Sequence, residues 1–281
     1  MRSILAVLWG SHDASTILDA AHQVAAAGGH GGKVTALYIR PSAENFIPTG
    51  DFGLALSQEY FDRIQKEGID IAAKLQKLFH EKKAKLSDSK VTWQWREIEG
   101  AAPLILASEG RVYDLIVMAK PDPEQAIDTD IILEAGLFET GRPVLIVPVE
   151  TKIPPRPIIF RTVLIAWNGS PETARTIGLS MPLLSRADKI YIHSSAAGFV
   201  PGPSGEELAE YFAAHGFKTE ISHDHDSSIP AGEAHLARAK AVNADVIIKG
   251  AYTHSRLRNF VFGGATRHII AHTSLPVLLA H

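Results

Sequence analysis

The sequence predicts an α/β protein built twice over, on three observations. Short continuous apolar runs alternate with amphipathic helical segments. The alternation restarts after a proline-rich stretch. The second round also reuses the wording of the first. VLIAWNGSPETA (Val163 to Ala174) resembles ILAVLWGSHDAS (Ile4 to Ser15), Asp245-Val246-Ile247-Ile248 matches Asp114-Leu115-Ile116-Val117, and Pro276-Val277-Leu278-Leu279 matches Pro143-Val144-Leu145-Ile146. Strands that are apolar throughout belong to parallel sheets covered on both sides. Alternating strands and helices with right-handed crossovers give a doubly wound sheet. The expected fold is therefore two tandem doubly wound domains, residues 1–150 and 160–281. Each is expected to hold a five-stranded parallel sheet of order 3-2-1-4-5 with helices on both faces.

The elements follow in order. Ile4 to Leu8 is the first strand. Gly10-Ser11 then leads into a helix with Ile17, Ala21 and Val24 on one face, Ser11 suiting its N-cap and Asp13 its positive end. Val34 to Ile39 is the second strand, followed by a loop from Pro41 to Gly53. The stripe Phe61, Ile64, Ile71, Leu75 and Leu78 marks a long helix. Val91 to Trp95 is a strand in which Trp93 and Trp95 read as packing residues. Ala101 to Glu109 is a short helix, Leu115 to Met118 a strand, and a helix around Ile131 to Phe138 precedes the strand Val144 to Val147. Thr151 to Pro157, with three prolines, reads as a linker. The second copy repeats this order with a shorter middle, chiefly a shorter second helix.

Composition narrows the function. Hydrophobic residues make up 46% of the 281 positions and charged residues 21%, enough for a core in each half. A net charge of −3 offers no basic field for a nucleic acid backbone. With no cysteines, disulfides, thiolate metal sites and a cysteine nucleophile are excluded. No apolar stretch approaches the ~20 residues that span a bilayer, so a cytoplasmic protein without a membrane partner is expected. No catalytic constellation stands out: Ser11 and Ser170 read as N-caps, and no Walker-type lysine follows the glycines.

The segment with ligand-binding character is GAYTHSRLRNFVFGGATRHII, Gly250 to Ile270. Gly250 ends the fourth strand of the second copy. Gly263-Gly264 stands where the last helix begins, with Thr266 in its first turn and His254, Arg256 and Arg258 in between. Glycines allow close backbone approach, a helix N-terminus offers unpaired donors, and arginines add charge-assisted contacts to phosphate. His223-Asp224-His225-Asp226 carries metal-ligand types, but neighbouring loop positions supply only part of a coordination shell, and no metal site is expected. Turn and N-cap contacts before Ser227-Ser228 are the expected role of these residues.

On these residues the chain resembles the universal stress protein family, whose ATP-binding members carry Gly-x2-Gly-x9-Gly-Ser/Thr between strand 4 and helix 4. The matching positions are Gly250, Thr253, Gly263 and Gly264. The spacing is kept, but Thr253 replaces the second glycine and Gly264 the hydroxyl residue. The family's aspartate after strand 1 corresponds to Asn168, beside Gly169. The resemblance implies ATP or a related adenine nucleotide, with Mg accompanying it, held by Asn168 and Gly169 near the sugar or base. Gly250, Thr253, Gly263, Gly264 and Thr266 would surround the phosphates, with His254 and Arg256 as supporting charges. At most it implies slow ATP hydrolysis. The first copy has Trp9 at the strand 1 position, prolines 121 and 123, and five acidic residues between 122 and 134, so it is expected to exclude nucleotide. Two other readings stand beside this one. The first is a nucleotide-free interaction protein whose two fifth strands pair within one chain as a pseudo-dimer, with a homodimer or an unknown protein partner beyond it. The second is a binder of another small ligand under the Pro41 to Gly53 loop.

Overall fold

The computed structural model describes residues 1–9, 13–27, 31–42, 58–86, 90–121, 129–148, 160–198, 200–251 and 264–281. By contacts the chain groups into an N-terminal unit, Arg2–Thr140, and a C-terminal unit that holds Gly141–His281. The expected division at 150/160 follows the sequence repeat, whereas the contact grouping assigns the fifth strand of the first repeat to the C-terminal unit.

The N-terminal unit contains β1 (Ser3–Leu8), α1 (Ala14–Ala27), β2 (Lys33–Arg40), α2 (Gln58–Lys85), β3 (Thr92–Glu99), α3 (Ala102–Glu109), β4 (Leu115–Ala119) and α4 (Thr129–Glu139). Its strands pair in parallel in the order β3-β2-β1-β4. Ile4 to Leu8 and Leu115 to Met118 are at most 2% exposed, which is why these strands are apolar without alternation. Of the expected α2 stripe Leu75 is buried and Leu78 half-buried; its neighbour Phe79, outside that stripe, is buried and packs against the rings of Trp93 and Trp95. The paired tryptophans thus serve the helix–sheet interface, as their alternation on β3 suggests.

The C-terminal unit contains β5 (Val144–Val147), β6 (Thr162–Ala166), α5 (Pro171–Leu184), β7 (Lys189–Ser195), α6 (Gly205–Ala214), β8 (Thr219–Asp224), α7 (Ala231–Ala241), β9 (Val246–Gly250), α8 (Gly264–His272) and β10 (Val277–Ala280). The second repeat is ordered β8-β7-β6-β9-β10, the expected 3-2-1-4-5, and is parallel throughout. β5 joins this sheet antiparallel to β10, with Leu145 opposite Leu278. The second helix of this repeat, α6, has 10 residues against the 28 of α2, in line with the shorter middle. No described helix is long and apolar enough to cross a membrane.

One device recurs in both repeats. The aspartate heading the fourth strand turns its carboxylate back onto the start of the first strand. Asp114 Oδ2 accepts from the backbone N–H of Arg2 (2.6 Å) and Ser3 (3.0 Å). Asp245 Oδ2 accepts from Arg161 (3.1 Å) and Thr162 (2.8 Å). These donors lie at the entry to a central strand, before the sheet ladder takes over. Asp245→Ala is expected to lower stability by about 1–3 kcal/mol, the usual cost of hydrogen bonds to a charged acceptor. Urea denaturation at neutral pH measures this, and Asp114→Ala should give a loss of similar size.

Candidate functional site

In the C-terminal unit the carboxyl ends of β6 and β9 meet at the first turn of α5, and the sequence chemistry of the two strand exits explains how. Gly169 takes φ +80°, a left-handed conformation that suits glycine, and so turns the chain out of β6. Ser170 caps α5, its Oγ accepting from Thr173 N (3.3 Å). Asn168, 6% exposed, uses its Oδ1 twice, accepting from Ser170 N (3.3 Å) and from the Thr173 hydroxyl (2.8 Å). Thr173 Oγ1 in turn accepts from Gly250 N (3.2 Å). A Cβ on Gly250 would stand 2.4 Å from Thr173 N and 2.7 Å from the Glu172 carbonyl carbon, so glycine is required there by close packing of β9 on α5.

The segment Val200–Pro203 lies over the same turn. Val200 N donates to Asn168 O (3.1 Å), Trp167 Nε1 donates to Pro203 O (2.9 Å), and a Cβ on Gly202 would come within 2.2 Å of Gly169 O. Sequence reading missed this strap. Its signal was the Pro-Gly-Pro at 201–203, facing a tryptophan that needs an acceptor for its indole N–H.

Gly264 opens α8. It is exposed, and among the described residues none outside its own helix and chain neighbours lies within 4 Å of where its Cβ would be. Thr266 is on the inner side of that helix, 4% exposed. The structure thus brings Asn168, Gly169 and Gly250 together around Thr173. Thr253, His254, Arg256 and Gly263 lie outside the described residues, as do Arg258 and residues 122–128 of the first copy. Trp9, at the matching strand exit of the first repeat, is 5% exposed.

No protein-family model matches the chain. A universal stress protein of Synechocystis is 26% identical over 274 residues, covering 88% of this chain and 89% of that one. Among solved structures, a universal stress protein from Archaeoglobus fulgidus aligns with 99% of this chain and 97% of its own, at 14% identity and a TM-score of 0.69. A second structure, from Pseudomonas aeruginosa and described as a putative universal stress protein, covers 100% and 93% at 18% identity and a TM-score of 0.56. The chain is thus similar in sequence to a universal stress protein and shares the fold of these two structures.

Within the C-terminal unit, one row of buried polar groups was not foreseen. Lys249, the residue before Gly250, is 4% exposed, and burial lowers its pKa to about 8, offset in part by Glu172. Glu172 Oε2 is itself buried without a hydrogen-bond partner. The lysine interrupting the apolar run Val246-Ile247-Ile248 was the available signal. Further along the sheet, His193 Nδ1 and His235 Nδ1 are 2.9 Å apart, both side chains buried. Burial depresses the His193 pKa to about 4, with Arg238 and His223 adding to the shift and Asp224 opposing it. His235 is pushed well below the usual range by burial, then by Lys249 and His193.

The His-Asp-His-Asp segment makes local contacts. His223 Nε2 pairs with Glu206 Oε1 at 2.8 Å. Asp224 Oδ1 accepts from Asp226 N, and Asp226 Oδ1 from Ser228 N and Oγ. The Asp224 and Asp226 bonds are turn contacts of the kind the sequence suggests, whereas His223 and Asp224 themselves lie on β8 and not in a loop, and the N-cap of α7, Pro230, takes no side-chain bond.

Two titration effects follow. The folded pKa of Lys249 is below its unfolded value, so between pH ~8 and ~10.5 the unfolded chain binds more protons and stability rises with pH. Lys249→Met is expected to raise stability at pH 7, by on the order of 3 kcal/mol at most, and to flatten that rise in urea titrations. For His193 the folded pKa is also lowered, so stability falls as pH drops from about 6.5 towards 4. Thermal melts of a His193→Gln variant should show a shallower loss over that window.

Proposed function

We propose that the chain is a stress-response regulatory module of the cytoplasm that binds ATP or a related adenine nucleotide, with Mg, in its C-terminal unit. The observation that carries this reading is the exposed start of α8 at Gly264, which no described residue crowds, within the sequence that keeps the family's loop spacing. The first N–H groups of a helix lack intrahelical partners, and the dipole there favours negative charge, so an exposed α8 start is suited to phosphate. Asn168 and Gly169 would set the position of the sugar or base, and Gly250, Thr253, Gly263, Gly264 and Thr266 would form the phosphate cradle with His254 and Arg256 as supporting charges. Binding would be modest. Asn168 lacks the aspartate charge and already spends Oδ1 on Ser170 and Thr173, and Val200–Pro203 narrows the approach to Gly169. The reading includes at most slow hydrolysis, since no base or Walker-type lysine accompanies the loop.

A second reading has its own observation. β5 pairs antiparallel with β10, joining the fifth strands of the two repeats. This supports an intrachain pseudo-dimer acting as an interaction protein, with or without a nucleotide.

Calorimetry with ATP on the full chain tests the first reading. At most one equivalent is expected, and Gly263→Val should weaken binding at least tenfold by adding a branched side chain to the paired glycines. Thr253→Gly should strengthen it. Absence of any nucleotide binding, together with no adenine nucleotide released from the denatured protein in mass spectrometry, would leave the interaction reading in its place.

A further inference from the structure

A cavity of about 440 Å³ in the C-terminal unit lies between α7, the edge strand β8 and its neighbour β7, and none of the expected nucleotide residues among the described ones lines it. Strand register explains its lining. His193 pairs with Ser222 and Ser195 with Asp224, and residues two apart on a strand share a face. The face carrying Tyr191 and His193 therefore also carries Ser222 and Asp224. α7 lies over this face, its His235 meeting His193 and its Arg238 standing over the Tyr191 ring at 5.5 Å.

Two hydrogen-bonding groups here are left unmatched. Arg238 Nε and Ser222 Oγ are buried and have no hydrogen-bond partner among the described residues. Buried donors without acceptors each carry a desolvation cost, and such groups in a roomy cavity point to a bound partner. Arg238 also has no carboxylate within ion-pair distance among the described residues. The demand at this end of the cavity is for an acceptor anion suited to a guanidinium, a carboxylate or a phosphate.

The other end decides between them. Glu233 and Asp224 line the same cavity. Glu233 precedes Arg238 on α7 by five residues, about 7.5 Å along a helix axis, and Asp224 closes β8. The cavity thus runs from a cationic end to an acidic one, with neutral His193 between them. Two carboxylates repel a phosphate dianion, but they complement an ammonium group. We propose that this cavity binds a small zwitterion of the amino-acid class, its carboxylate on Arg238 and Ser222 and its ammonium towards Asp224 and Glu233.

Calorimetry of the full-length protein against the common amino acids and 4-aminobutanoate tests this, with butanoate, butylammonium and inorganic phosphate as comparisons. At least one amino acid should bind saturably, and at least tenfold more tightly than butanoate or butylammonium. Arg238→Gln should weaken that binding at least tenfold, and Asp224→Asn should weaken it several-fold. Circular dichroism would verify folding. Should Arg238→Gln not fold, Ser222→Ala replaces it, with a loss of at least threefold expected. No saturable binding by any amino acid would overturn the proposal, as would equal binding of butanoate or phosphate, or binding unchanged in the variants. ATP binding in the Arg238 and Ser222 variants should be unchanged, so failure here is separable from failure of the nucleotide reading.

Discussion

The C-terminal unit depends on one buried hydroxyl, that of Thr173. It donates to Asn168 Oδ1 and accepts from Gly250 N, so a single side chain on α5 joins the exits of β6 and β9. In a doubly wound sheet the crevice at the carboxyl ends of the central strands is where ligands collect. Thr173, fully buried, sets how close those two exits come. A β-branched side chain in a helix has few rotamers, which holds the hydroxyl in place. One turn on, Thr176 repeats the arrangement against β10: its Oγ1 donates to Glu172 O at 2.8 Å and accepts from Ala280 N at 3.2 Å. The inner face of α5 is thus partly a row of hydroxyls that bond to strand ends, and not purely an apolar stripe.

The face of the sheet under α7 follows another rule. His193, on β7, pairs in register with Ala166 of β6, and Ile165 of β6 pairs with Ile248, the residue before Lys249. Ser222, His193, Ala166 and Lys249 therefore fall in successive positions of one row across four strands. The small Ala166 stands between the histidine and the lysine, and His235 descends from α7 to reach His193. Buried polar groups of this kind lower stability relative to a well-packed apolar row unless each is matched. The histidines match each other at Nδ1, and both are kept neutral by burial. Lys249 acts on His235 and is itself favoured in its charged form by Glu172, against the larger cost of burial. The cavity beyond His193 leaves polar capacity unused inside the C-terminal unit, at Ser222 Oγ and Arg238 Nε.

Much of this was legible in the sequence. The continuous apolar runs located the strands because both faces of a central parallel strand are covered. The repeated Asp114 and Asp245 were visible as matching words, and the structure gives them the same clamp. Gly250, Asn168 and Gly169 were picked out for a ligand, and the structure brings them together. Their immediate partners, however, are Thr173, Ser170 and Val200, because turn geometry and close packing ask for the same residue types as phosphate binding does. The polar row was not legible. Lys249, His193 and His235 are far apart in sequence, and each by itself reads as an ordinary residue. Only the parallel register places two of them in one row and hangs the third above it. The strap at Val200–Pro203 escaped notice because proline and glycine announce a turn without saying what the turn will cover.

The two repeats differ at the exit of the first strand, and the difference follows from the side chain placed there. The words ILAVLWGS (Ile4 to Ser11) and VLIAWNGS (Val163 to Ser170) align without a gap, so Trp9 of the first repeat stands at the position of Asn168. Trp9 is buried, 5% exposed. The second repeat has its buried tryptophan one position earlier, at Trp167, whose indole N–H is spent on the strap at Pro203, and follows it with Asn168. That asparagine supplies the carbonyl oxygen that reaches both Ser170 and Thr173, and through Thr173 it ties β6 to β9. One exchange, an amide in the second repeat for the indole of the first, thus accounts for why the crevice of the second repeat is organised around a polar hub, since an indole offers no acceptor to take the place of the Asn168 oxygen.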